Sequence, residues 1–108
     1  MQIAESTSGA VTIAAIEGRL DTATAAAAEE RLAALVAAGP LVVDLAAVRY
    51  VSSAGLRVLL KTAKQAQAAG TRFAVCALQP AVLEVFEISG FDRIIDAFPT
   101  QAEAVAAS

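Results

Sequence analysis

The 108-residue chain contains no histidine and a single cysteine, Cys76, and aromatic residues make up only 5% of it. Without an imidazole, a Ser-His-Asp triad, histidine acid–base chemistry and His-ligated metal sites are excluded. One cysteine builds neither an internal disulfide framework nor a Cys-cluster zinc site, and it fits a reducing compartment. Basic residues are few. Eight Lys and Arg against eleven Asp and Glu leave a net charge of −3, which gives no electrostatic footprint for nucleic acid. Long hydrophobic runs are missing as well. The uncharged stretch from Leu32 to Val43 is broken by Gly39-Pro40 and falls short of the ~20 apolar residues that span a bilayer. The opening Met1-Gln2-Ile3-Ala4-Glu5 has neither the basic nor the apolar region of a signal peptide, so a soluble, cytoplasmic domain is expected.

What the chain has in abundance is alanine, 28 residues of it. Alanine is small and the best intrinsic helix former, so the 57% hydrophobic content points to closely packed helices rather than to a membrane protein. At this length one domain, residues 1–108, with one core is expected.

Gly and Pro punctuate the chain at Ser8-Gly9, Gly18, Gly39-Pro40, Gly70, Pro80, Gly90 and Pro99. Residues 2–7 and 10–17 read as two strands of a hairpin turning at Ser8-Gly9, with Val11, Ile13 and Ala15 alternating against Thr12 and Ala14. Asp21 is predicted to cap a helix that runs to Ala38 and stops at Gly39-Pro40. Leu32, Leu35 and Val36 form its inward stripe, and Glu29, Glu30 and Arg31 face water. The apolar run Leu41-Val42-Val43-Asp44-Leu45 predicts a strand buried on both faces. A second helix over 54–69 points Leu56, Leu59, Leu60 and Ala63 inward and Arg57, Lys61 and Lys64 outward. Gly70 ends it, and residues 72–77 return as a buried strand, which implies a right-handed parallel crossover. Pro80 opens a third helix carrying Val82, Leu83 and Phe86, closed by Gly90. Ile94-Ile95 is read as a short last strand. Thr100-Gln101-Ala102-Glu103 matches a capping box and starts a terminal helix. The resulting order, β-β-α-β-α-β-α-β-α, defines an α/β sandwich with a mixed, mostly parallel sheet.

In such folds, sites gather in the loops at the carboxyl ends of the parallel strands. The loop predicted after the third strand, residues 46–55, ends in two hydroxyls, Ser52 and Ser53, at the mouth of a helix. Free amides and a partial positive charge there tolerate a phosphorylated serine. Gly55, lacking a side chain, is expected to let another protein approach the backbone. The plainer reading is that one of these serines is only an N-cap. A cap needs one serine, however, which leaves the second hydroxyl spare. Asp21 reads first as a helix cap, and Arg57, Lys61 and Lys64 as a solvated face or a docking stripe. Cys76 reads as an inert small hydrophobe, and Tyr50 as packing beside the loop.

The segment from Val43 to Leu60, with Asp44-Leu45 and Ser52-Ser53-Ala54-Gly55-Leu56 as its core, resembles the signature of the STAS domain of bacterial anti-sigma factor antagonists. Gly18-Arg19-Leu20-Asp21 resembles that family's turn before its first helix. Pro80-Ala81-Val82-Leu83 and Ile88-Ser89-Gly90-Phe91 resemble its third-helix segment. The resemblance implies a partner switch. The unmodified protein binds an anti-sigma factor serine kinase of the histidine-kinase-like ATPase fold and so frees a sigma factor. Phosphorylation releases the antagonist, and a PP2C-type phosphatase restores it. By position the acceptor is Ser53, with Ser52 as the fallback, because many family members carry Asp where this chain has Ser52. The implied partner-binding surface is Asp21, Ser52, Ser53, Ala54, Gly55 and Arg57. Within the same family, the alternative is a non-phosphorylated STAS subunit of a lipid-transport ATPase or an anion transporter. A hydrolase using Ser53 is disfavoured, since no Gly-x-Ser-x-Gly and no histidine would activate the hydroxyl. No cofactor, metal, nucleic acid or membrane insertion is expected, and no enzymatic activity.

Overall fold

The computed structural model describes residues 1–108 as a five-stranded sheet with helices on both faces. The elements are β1 (Gln2–Ser8), β2 (Val11–Leu20), α1 (Ala25–Ala38), β3 (Leu41–Val51), α2 (Ser53–Ala69), β4 (Phe73–Cys76), α3 (Pro80–Ile88), β5 (Asp96–Phe98) and α4 (Gln101–Ala106), with a 3₁₀ turn at Phe91–Arg93. The strand order is β1-β2-β3-β4-β5; β1 runs antiparallel to β2, and every later pair is parallel. This is the α/β sandwich with the mixed, mostly parallel sheet expected from the element order.

Strand alternation divides the core between two faces. Ala14, Ile16 and Leu20 of β2 and Val43 and Leu45 of β3 meet Leu32 and Val36 of α1, Leu59 of α2 and Phe86 of α3, all essentially sealed from solvent. Val11, Ile13, Val42 and Cys76 point the other way, onto Ala104 of α4. Adjacent Val42 and Val43 are both fully buried, each on its own face, so β3 reads as a continuous apolar run rather than as an alternating one.

Several boundaries differ from the sequence reading. The hairpin turns at Gly9-Ala10, one residue later than expected, with Gly9 at φ +60° in the first central position, where a tight hairpin favours it. Strand β2 continues past Glu17 to Leu20 because β3 pairs with it that far. The largest departure is β3, which runs to Val51 instead of stopping at Leu45. Two irregularities in its pairing, Ala15/Glu17 against Asp44/Ala47 and Gly18/Arg19 against Val48/Tyr50, insert extra residues on the β3 side. They break the two-residue period, leaving Ala46 and Ala47 both exposed, so the stretch imitates a loop.

Helix α1 begins at Ala25, with Thr24 rather than Asp21 as the N-cap. Glu29 is half-buried rather than free in water, because it faces α2. In α2, Leu56 and Leu59 are buried as expected. Val58, Thr62 and Ala66 are buried too, while Leu60 and Ala63 are only half-buried. Thr62 is accommodated because its hydroxyl donates to the Val58 carbonyl at 2.9 Å. In α3, Val82 and Phe86 are buried but Leu83 lies at the surface. Ile94-Ile95 is not a strand. The chain is still leaving the 3₁₀ turn there, and β5 forms two residues later, where β4 supplies a partner. The Thr100 hydroxyl accepts from the Glu103 amide at 3.2 Å, as the predicted capping box requires.

Candidate functional site: the serine pair at the start of α2

The parallel pairing of β2 with β3 brings their two exits together. Leu20 lies opposite Val51, and the Ser52 amide extends the ladder by donating to the Leu20 carbonyl at 2.9 Å. The turn that starts at Asp21 and the helix that starts at Ser53 therefore leave the sheet side by side, which places Asp21 beside the serine pair.

The two hydroxyls have different situations. Ser52 has extended backbone and is the N-cap: its Oγ accepts from the Gly55 amide at 3.3 Å. Ser53 is the first residue of the helix, is exposed, and has no hydrogen bond to its side chain. The cap thus occupies one serine and leaves the other free. Ala54 is half-exposed beside it.

Gly55 is buried and gives no access to the backbone, contrary to the reading from sequence. A Cβ at this position would lie 2.4 Å from the Leu20 carbonyl oxygen, 2.9 Å from Leu20 Cγ and 3.0 Å from Val51 Cγ1. The absence of a side chain lets the first turn of α2 seat directly on the ends of β2 and β3, and so fixes where Ser53 stands.

Asp21 organises the neighbouring turn. Its carboxylate accepts from the amides of Ala23 at 3.1 Å and Thr24 at 3.3 Å and from Arg19 Nε at 3.2 Å, and its backbone carbonyl receives the Ala25 amide. The Arg19 hydrogen bond, opposed by partial burial and aided by the two amides and the arginine charge, holds this carboxyl below the usual aspartate value. Asp21 therefore stabilises the helix start from three residues before the cap, Thr24, and one oxygen points toward Arg19 on the surface.

Arg19 also lies over the ring of Tyr50, 4.4 Å from its centroid. The sequence reading overlooked this pair. Only the β2–β3 register, in which Arg19 lies opposite Tyr50, could have revealed it, and the irregularities in β3 conceal that register. Arg57 is exposed and makes no ion pair, while Lys61 bridges to Glu29 of α1 at 2.7 Å. Cys76 is fully buried in the cluster packed on Ala104 of α4; burial, with Asp44's charge adding to it, pushes its thiol up to about 12. No three His, Cys, Asp or Glu side chains are grouped so as to hold a metal ion. The largest hollow, about 680 Å³, lies between β1 and α1 along Met1, Ile3 and Arg31, and involves none of these residues.

The fold and this edge define a small α/β module that presents a serine hydroxyl at a helix start. The STAS domain family model matches residues 2–104, and the chain belongs to that family. Among its relatives, BtrV of Bordetella bronchiseptica, named as an anti-sigma factor antagonist, is 43% identical over 97 residues, covering 88% of this chain and 84% of that protein. The anti-sigma-F factor antagonist RsfB of Mycobacterium tuberculosis is 33% identical over 97 residues, covering 88% and 79%. The crystal structure of an anti-sigma factor antagonist from Mycobacterium paratuberculosis superposes with a TM-score of 0.89 at 31% identity, over 98% of this chain and 92% of that one.

Proposed function

We propose that the chain is an anti-sigma factor antagonist that works as a phosphorylation-controlled partner switch, with Ser53 as the acceptor. One observation carries the assignment: the helix start uses Ser52 as its cap and leaves the Ser53 hydroxyl exposed and without a hydrogen-bond partner. The names borne by the relatives support the antagonist role. The partners in this reading are an anti-sigma factor serine kinase of the histidine-kinase-like ATPase fold and a PP2C-type phosphatase. The docking surface is Asp21, Ser52, Ser53, Ala54 and Arg57, with Gly55 acting from beneath by seating the helix.

In the forward step the Ser53 oxygen bonds to the γ-phosphorus of ATP, the bond to the leaving ADP breaks, and the hydroxyl proton passes to a base of the kinase. Water reverses the modification at the phosphatase, restoring the hydroxyl and releasing inorganic phosphate. The added charge, about −1.5 to −2 at neutral pH, would be desolvated at the centre of the docked face. A loss of ~3 kcal/mol weakens binding more than a hundredfold, enough to exchange partners with no change of fold. The chain acts here as a substrate and ligand, not as a catalyst, and the working compartment is the cytoplasm. No helix is long and apolar enough to cross a membrane.

The test is to incubate the protein with candidate kinases of this class and ATP and to locate the phosphate by mass spectrometry. Modification of wild type and Ser52→Ala, but not of Ser53→Ala, is the expected pattern. Phosphate on Ser52 alone overturns the site. Neither binding nor modification across the source organism's full set of such kinases overturns the function.

A further inference from the structure

Four residues after Ser53, on the same face of α2, Arg57 is exposed and engaged in none of the chain's ion pairs or side-chain hydrogen bonds. The charge around it is one-sided: from Ala46 to Arg72 the chain carries Arg49, Arg57, Lys61, Lys64 and Arg72 and no acidic residue. Two acids beside this edge, Asp21 and Glu29 of α1, are already paired, while Glu30 of α1 and Glu17 of β2 make no ion pair. Arg19 holds Asp21 at 3.2 Å and Lys61 holds Glu29 at 2.7 Å. Arg57 lines a groove of about 130 Å³ between α1 and α2, together with Ala25, Glu29, Ala54, Val58 and Lys61, so open space flanks the first turn of the helix.

Helical side chains lean toward the N-terminus, which lays Arg57 back over the turn that begins with Ser53. Residues i and i+4 stand about 6 Å apart at Cβ, and an acid at i with a base at i+4 is the favoured orientation. We infer that Arg57 is the in-chain receiver of a phosphate on Ser53. The guanidinium offers a planar fork of donors that matches phosphate oxygens two at a time. Lys61 and Lys64 stand two and three turns away, out of reach of the same group.

This inference rests on Ser53 as the acceptor and deepens that reading. Phosphorylation then acts twice, adding charge to the docking face and withdrawing from it a cation that is free in the unmodified protein. A phosphate on Ser52 would sit five residues from Arg57, off its face of the helix, so the device is specific to Ser53.

The test places phosphoserine at position 53 during translation, in the full chain and without a kinase, and follows the phosphate by ³¹P NMR across pH 4–8. An unperturbed phosphoserine has its second pKa near 6. The inference predicts that Arg57→Gln raises that pKa by about half a unit relative to the chain that keeps Arg57. Arg57→Lys should recover part of the shift. Lys64→Gln, which removes the same charge elsewhere on α2, should move it far less. With phosphoserine at position 52, Arg57→Gln should leave the pKa unchanged. Equal values with and without the Arg57→Gln substitution, or an equal shift from Lys64→Gln, overturn the inference. Because no kinase takes part, failure of kinases to modify Ser53 would overturn the functional reading without changing this result.

Discussion

Replacing Gly55 with alanine tests how the site is held. At an exposed interior helix position this change stabilises by about 1 kcal/mol, because alanine is the better helix former. Here the new methyl would lie 2.4 Å from the Leu20 carbonyl oxygen and within 3.0 Å of two side-chain carbons. The oxygen belongs to the backbone of β2 and cannot swing aside, so either α2 lifts or β2 shifts. Overpacking of this kind costs ~1–3 kcal/mol. The same oxygen accepts the Ser52 amide at 2.9 Å, and displacing it forfeits about 1 kcal/mol more. Set against the propensity gain, the net expectation is a loss of about 1–3 kcal/mol. For a domain of this size that corresponds to a fall in Tm of roughly 4 °C or more. Urea denaturation followed by far-UV circular dichroism would measure it. A Gly55→Ala protein as stable as wild type, or more stable, would refute the claim that α2 is seated on the Leu20 carbonyl. The lifted helix should also slow modification of Ser53 by a competent kinase, though residue 53 itself is unchanged.

Three further outcomes follow from the same geometry. Ser52→Ala should cost about 1 kcal/mol of stability through the lost cap, whereas Ser53→Ala should stay within about 0.5 kcal/mol, both read from urea midpoints. The Asp21 carboxyl is held below 3.8, so its contribution is present above that value and fades as pH falls through the lowered one. Acid titration of stability should therefore show a shallower loss below pH 4 in Asp21→Asn than in wild type, and identical slopes would remove Asp21 from the account. The Cys76 thiol, sealed between β4 and α4 with its pKa near 12, should resist iodoacetamide in the folded protein at pH 8 and react promptly in urea. Rapid labelling of the native chain, followed by mass spectrometry, would contradict its burial.

The element order, the parallel crossover and both serines were legible in the sequence because each rests on a local signal. Gly39-Pro40 and Gly70 mark helix ends, the Leu41–Leu45 run marks a strand buried on both faces, and a Ser pair precedes an amphipathic stretch. What was not legible depended on pairing between distant segments. The second half of β3 is a strand because β2 lies beside it, and its bulges erase the alternation that would announce it. Gly55 looked like an opening to solvent, but it is a contact with Leu20, thirty-five residues earlier in the chain. Asp21 was recognised as important to the helix start. That it acts from three residues before the cap, Thr24, depends on backbone geometry that capping preferences alone do not encode. The division of labour between Ser52 and Ser53 was posed by the sequence, and the helix boundary then assigned the cap to Ser52.

The most direct test of the switch is the affinity of one kinase for two forms of the chain, unmodified and carrying phosphoserine at position 53, measured by calorimetry without ATP hydrolysis. The account predicts tight binding of the unmodified form and a Kd at least a hundredfold weaker for the phosphorylated one, a difference of about 3 kcal/mol. Equal affinities for the two forms would contradict it.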